Sequence, residues 1–232
     1  IYVFRAYSSA MKAGTIINVN TIIEKRTKGF LDAIIEQVNT KNVEIILVTG
    51  KGDVVDSVEK FTQEYNIDLM IMAPRSNSIR DEVFLGNTSG RIVKHTKIPT
   101  LIVPEKYRFK ALKNILMAFK SGKVEDTSSL NPLKDILQKF NSKLNLLLVK
   151  TPGYLEEDLI IEPELESLKS DLKITENATT FQGVLEHFQS HQPDMLCVFR
   201  RKRGFFTKLW EKNVILKREF HSNVPLLILN GR

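Results

Sequence analysis

The sequence predicts a doubly wound α/β fold in two halves. Each is a parallel five-stranded sheet flanked by helices, and the first half lacks its first strand and first helix. Three observations carry this reading. Asp68 and Asp194, His95 and His221, and Pro99 and Pro225 are each separated by 126 positions. The same offset relates Val58 to Val184, Arg75 to Arg201, Phe84 to Trp210 and Asn87 to Asn213. A period this long is too large for a solenoid and signifies two copies of one fold. Second, the strand candidates are apolar throughout, as strands buried on both faces of a parallel sheet must be. Third, these apolar runs alternate with segments of helical periodicity.

In chain order, Ile1 to Phe4 reads as a strand, followed by a long helix from Thr21 to Val38. The apolar run Glu44 to Val48 predicts the next strand. Asp53 to Tyr65 is a helix with Val54, Val55, Val58 and Phe61 at near-helical spacing. Leu69 to Met72 is a buried strand. A polar loop leads to a helix from Gly86 to His95, then a proline-bearing turn to the strand Thr100 to Val103. The second half repeats the scheme in full: strand Asn114 to Phe119, helix Leu130 to Phe140, strand Leu144 to Lys150, a helical stretch around Leu165 to Leu172, strand Asp171 to Thr175, helix Thr179 to Gln189, strand Met195 to Phe199, helix Asn213 to His221 and strand Leu226 to Leu229. Pro132 is tolerated in the first helical turn, where its missing N–H has no partner to lose. The domain division is 1–107 and 108–232. Compared with Ala111 to Asn141, the first half is short by about 30 residues, so an N-terminal trimming is expected. A sheet that lacks an interior strand exposes an edge that another strand or chain would cover.

Composition narrows the function. The 232 residues are 42% hydrophobic and 26% charged, enough for one large or two small cores. No apolar run approaches the ~20 residues that span a bilayer, so a cytoplasmic protein is expected. A single cysteine, Cys197, excludes an internal disulfide and a cysteine-rich zinc site, and its apolar neighbours predict a buried thiol. Of the formal net charge of +7, four charges lie in the run Arg200 to Arg203, which reads as a solvated loop.

The segments Asp68-Leu69-Met70-Ile71-Met72-Ala73-Pro74-Arg75, Phe84-Leu85-Gly86-Asn87-Thr88 and Lys97-Ile98-Pro99-Thr100-Leu101-Ile102-Val103-Pro104 resemble the universal stress protein family. So do Arg200 to Phe206 and Asn223 to Leu229, which look like the second domains of bacterial tandem members. The resemblance implies Rossmann-like halves of the adenine-nucleotide-α-hydrolase kind. It also implies a nucleotide loop of the form G-x2-G-x9-G-[ST]. Glycines in such a loop let backbone approach phosphate, and a helix N-terminus meets the negative charge. On this sequence the loop maps to Ala73, Ser76, Gly86, Asn87 and Thr88, with Asn77 to Leu85 supplying the nine-residue spacing. One glycine of three survives. In the second half Phe199, Lys202 and Lys212 stand at the glycine positions, and Lys120 stands where the family places a nucleotide-binding aspartate. Phe205, Phe206 and Trp210 add bulk there.

Other constellations point to ordinary roles. His187 and His191 are i, i+4 with no third ligand nearby, so no metal is expected. His95 and His221 read as helix C-terminal residues. Gly50-Lys51-Gly52-Asp53 lacks the G-x4-G-K-[ST] frame and reads as a turn with a helix cap. Hydrolase, metalloprotease and dinucleotide motifs are absent from the sequence. The expected protein is therefore a non-enzymatic stress-response protein acting through protein association, with no required cofactor. The resemblance implies pairing through the last strands, Thr100 to Val103 and Leu226 to Leu229, in a homodimer or an intramolecular pseudo-dimer. Two alternatives stand: an ATP-binding regulator using Ala73 to Thr88, and a nonspecific nucleic-acid binder using the basic loop Arg200 to Arg203.

Overall fold

The computed structural model of the chain describes residues 2–4, 10–12, 15–17, 19–74, 87–200 and 224–231. Two compact units emerge, one of residues 1–66 and 94–96, the other of 67–93 and 97–232.

In the first unit, β1 (Tyr2–Phe4) pairs in parallel with β4 (Thr49–Lys51), in the register Tyr2 to Thr49. A short antiparallel hairpin, β2 (Ala10–Lys12) with β3 (Thr15–Ile17), precedes α1 (Val19–Glu36). Strands of three residues are too short to show alternation, so this hairpin carries no pattern in the sequence. The helix α2 (Val54–Glu64) buries Val55, Val58 and Phe61, the stripe that its spacing predicts. Asp53 caps it: its carboxylate accepts from the Val55 N–H at 2.8 Å. Gly52 turns the chain into that cap with φ +113°, which only glycine adopts freely. The strand expected at Glu44 to Val48 is corrected. Those residues form no strand, and Ile45 and Ile46 are exposed. An apolar run becomes a strand only where a partner lies beside it, and β1 meets residues 49–51 instead.

In the second unit, β5 (Met70–Met72), α3 (Asn87–His95) and β6 (Thr100–Ile102) are followed by the strands β7 (Asn114–Phe119), β8 (Lys143–Lys150), β9 (Asp171–Glu176), β10 (Met195–Arg200) and β11 (Leu226–Asn230). The helices between them are α4 (Asn131–Phe140), α5 (Pro163–Leu168) and α6 (Thr180–His191). One seven-stranded sheet results, in the order β5-β6-β11-β10-β7-β8-β9. All pairings are parallel except β6 with β11, which run antiparallel with Leu226 opposite Ile102 and Ile228 opposite Thr100.

The α/β class with a mostly parallel sheet is as expected; the difference lies in how the halves share the sheet. The second half does supply five adjacent strands, β11-β10-β7-β8-β9, but β5 and β6 extend the same sheet rather than building their own. The cause is β7, which bonds to both β10 and β8. The first half has no counterpart of β7 among the described strands, so β1-β4 stands as a separate pair.

The core explains the unbroken apolar runs. Met195, Cys197 and Phe199 of β10 pack on one face of the sheet with Ile115, Met117, Leu146 and Leu148. Leu196 and Val198 pack on the other with Leu116, Ala118, Leu147 and Ile228. A strand with helices or loops on both faces has no polar side to show. Burial pushes the Cys197 thiol far above its ordinary pKa, so it is a core thiol and not a nucleophile. Helix α6 approaches β8 closely at Gly183, where an added Cβ would lie 2.8 Å from the Val149 side chain.

Candidate functional site

The candidate nucleotide loop begins where β5 ends. Ala73 follows the strand and is exposed, and Thr88 lies in the first turn of α3. Ser89, buried beside it, donates from its hydroxyl to the Ala73 carbonyl at 3.1 Å. The strand end and the helix start are thus tied together, in the strand–loop–helix arrangement that lets N-terminal amides face an anion. Asn87 opens the helix; Ser76 and Gly86 lie outside the described residues.

The corresponding end of the second half is built differently. Phe199 is buried at the position of Ala73. Lys120 is exposed just past β7, and the segment after it is closed by backbone. Gly122 donates its N–H to the Asp158 carbonyl at 2.8 Å and accepts from the Glu162 N–H at 3.0 Å. The approach is so close that a Cβ on Gly122 would stand 2.4 Å from the Ile160 carbonyl oxygen. The chain from Asp158 to Glu162 therefore lies directly against the turn where a nucleotide-binding side chain would project. No local motif marks this contact, because Ile160 and Glu162 are distant from Gly122 along the chain.

The basic run behaves otherwise than expected at its first member. Arg200 is half-buried: its guanidinium donates to the Val93 carbonyl at 2.6 Å and to Asn230 Oδ1 at 3.3 Å. It ties the end of α3 to the ends of β10 and β11. Arg201, Lys202, Arg203, Phe205, Phe206, Trp210, Lys212 and the helix expected at Asn213 to His221 lie outside the described residues. His187 is partly buried on α6, and no group of three metal-ligating side chains occurs among the described residues. His95 closes α3 beside Lys94, favourable for the helix dipole.

A site that sequence reading missed sits at the other end of the sheet. Asp194, just before β10, accepts from the backbone N–H groups of Lys113 and Asn114, both at 2.9 Å. Lys110 pairs with its second oxygen at 2.7 Å. Asp194 also donates its own N–H to the Asn114 carbonyl at 2.7 Å. One carboxylate thus grips the start of β7. Burial pushes the Asp194 carboxyl up, but the Lys110 hydrogen bond and the two N–H groups outweigh it and hold it below the usual carboxylate value. The same bond raises Lys110. The repeated Asp68/Asp194 pair was visible in the sequence; its role as a strand clasp was not.

Among the described residues no helix is long and apolar enough to cross a membrane. No curated protein matches the chain. A universal stress protein from Archaeoglobus fulgidus DSM 4304 has a similar structure, with TM-score 0.66 and 18% identity over 95% of this chain and 85% of that one. A functionally unknown protein from Pseudomonas aeruginosa PAO1 is similar at TM-score 0.60 and 12% identity, over 88% of this chain and 78% of that one. At such identities the likeness is one of fold. Residues 12–104 match the sequence model of the universal stress protein family, and the chain shares its α/β fold with a solved protein of that name.

Proposed function

We propose that the chain is a tandem universal stress protein, with halves 1–107 and 108–232, which serves the stress response by associating with other proteins rather than by catalysis. The observation that carries the tandem part of this reading is the antiparallel pairing of β6 with β11. These are the last strands of the two halves, the elements through which the family resemblance implies pairing. Here they pair inside one chain, so the molecule supplies its own partner as a pseudo-dimer. Arg200 reinforces the junction by joining α3 of one half to β11 of the other.

The nucleotide loops are degenerate in this reading. In the second half the close packing at Gly122 and the buried Phe199 take the room that a phosphate or base needs. In the first half Ala73 and Ser76 replace glycines, and a β-carbon at such positions holds phosphate away from the backbone. The strand-to-helix link from Ala73 to Ser89 favours a second reading, in which Ala73, Ser76, Gly86, Asn87 and Thr88 hold ATP for a regulatory purpose. Isothermal titration of the chain with Mg-ATP separates the two. The scaffold reading predicts no saturable heat at micromolar to high micromolar nucleotide; micromolar binding would establish the regulator instead. The nucleic-acid alternative is weakened because Arg200 is committed to protein acceptors.

A further inference from the structure

The end of the sheet where β7, β8 and β10 begin carries a basic and aromatic surface. In the segment Lys106-Tyr107-Arg108-Phe109-Lys110 every second residue is a cation, with an aromatic ring between each pair. Lys106, Arg108 and Lys110 are exposed. So are Lys113 just before β7, Lys139 in the last turn of α4 and Lys143 at the start of β8. Glu105 and Asp171 lie at the same end, and Asp194 is already committed to Lys110 and two backbone N–H groups.

Tertiary contacts fix this surface in place, and all of its residues belong to one compact unit. Tyr107 donates its N–H to the Pro104 carbonyl at 2.9 Å and so closes a turn. Lys110 is held by Asp194 at 2.7 Å, and Leu112 is buried in the core. Lys113 donates from Nζ to the Phe140 carbonyl at 3.1 Å, and its own carbonyl accepts from the Lys143 N–H at 2.7 Å. Phe109 rests on Phe140, with ring centroids 5.9 Å apart and planes at 51°. Even so, Phe109 is 74% exposed. A ring that is positioned by a neighbour and still faces water, among cations, is set up to receive a flat partner.

Single-stranded nucleic acid fits these features together. Lysine and arginine take its phosphates and release counterions. An exposed aromatic takes a base by stacking, which every base allows. A membrane surface calls for a broad apolar face beside the charges, and one ring does not make such a face. An acidic peptide would use the cations and leave the ring idle. The surface is distinct from the basic run Arg200 to Arg203. Met195 at the start of β10 lies opposite Ile115, close to Lys113, whereas Arg200 is at the far end of β10.

We propose that this end of the sheet binds single-stranded nucleic acid, with Phe109 stacking on a base and Lys106, Arg108, Lys113 and Lys143 contacting phosphates. Lys110 stays on Asp194 and holds the segment in register. The inference rests on these residues alone and not on the nucleotide loop or on the pairing of the two halves.

The test uses the full 232-residue chain and fluorescein-labelled oligo-dT and oligo-U of equal length, followed by fluorescence anisotropy at several salt concentrations. Saturable binding of both is expected, because stacking and phosphate contact do not require the 2′-hydroxyl. The logarithmic salt slope is expected to be about −3, as four phosphate contacts on a single strand give. Phe109→Leu keeps an apolar contact for Phe140 and removes the stacking face. It is expected to weaken binding about tenfold, and Phe109→Trp to restore it. Joint replacement Lys106→Gln, Arg108→Gln and Lys143→Gln is expected to reduce the slope to about −1. Absence of saturable binding overturns the proposal. So does binding that Phe109→Leu and the triple replacement leave unchanged, since the strand would then lie elsewhere, as on Arg200 to Arg203. A blunt duplex held as tightly as the single strands contradicts stacking. Capture by phosphatidylserine vesicles without oligonucleotide binding would assign the surface to a membrane instead.

Discussion

At the residue scale, the structure turns on a few contacts that join distant parts of the sequence. Asp194 is the clearest. Its pairing with Lys110 contributes little by itself, because the lysine is 57% exposed and solvent screens the pair. The two backbone N–H groups matter more, since a neutral amide oxygen accepts from them less strongly than a carboxylate does. Asp194→Asn is expected to lower stability by about 2 kcal/mol at neutral pH, measured by urea denaturation. The pH dependence has a definite sign. The folded carboxyl titrates below its ordinary value of 3.8. Its contribution is therefore full above that value and is lost as pH falls through the lower, folded value. The gap between the original protein and Asp194→Asn should close in acid. A gap that widened as pH fell would contradict the clasp. The sequence announced this aspartate as a repeated position, yet nothing in its neighbours names Lys113 and Asn114, some eighty residues away, as its partners.

At the scale of elements, what was legible followed from local chemistry. β7 was legible to the residue, and β8, β10 and β11 to within a residue, because a strand buried on both faces must be apolar along its whole length. Helix α4 was legible from Pro132 at its start, and its end is set by Asn141, left-handed at φ 49°. Helix α6 starts at Thr179, whose hydroxyl accepts from the Gln182 N–H at 3.1 Å. Thr179→Ala is expected to cost about 1 kcal/mol in thermal or urea unfolding, the usual worth of an N-cap. Elements that depend on a partner strand were not legible. The run Glu44 to Val48 has strand composition, but the position of β1 moved the strand to Thr49–Lys51. The β2-β3 hairpin is likewise a product of pairing between segments too short to carry a pattern. At the candidate loop, spacing alone proposes Ala73 and Thr88, whereas the closure at Gly122 needed the three-dimensional approach of Ile160.

At the scale of the molecule, the repeat of 126 residues is the main source of information. It was readable because equivalent strands and turns impose the same residues twice: an aspartate before β5 and before β10, and a proline before β6 and before β11. What the repeat could not disclose is that the two last strands meet inside one sheet, since strand pairing is a property of tertiary arrangement and not of either copy. That junction carries the tandem, pseudo-dimeric arrangement proposed for the chain. It is tested most directly by a disulfide across the seam. In a Cys197→Ala background, cysteines at Leu101 and Leu227, which lie opposite each other in β6 and β11, are expected to oxidise within a single chain. The product would run as a monomer on non-reducing gels, independent of protein concentration. Covalent dimers that increase with concentration, or no crosslink at all in the folded protein, would contradict the account.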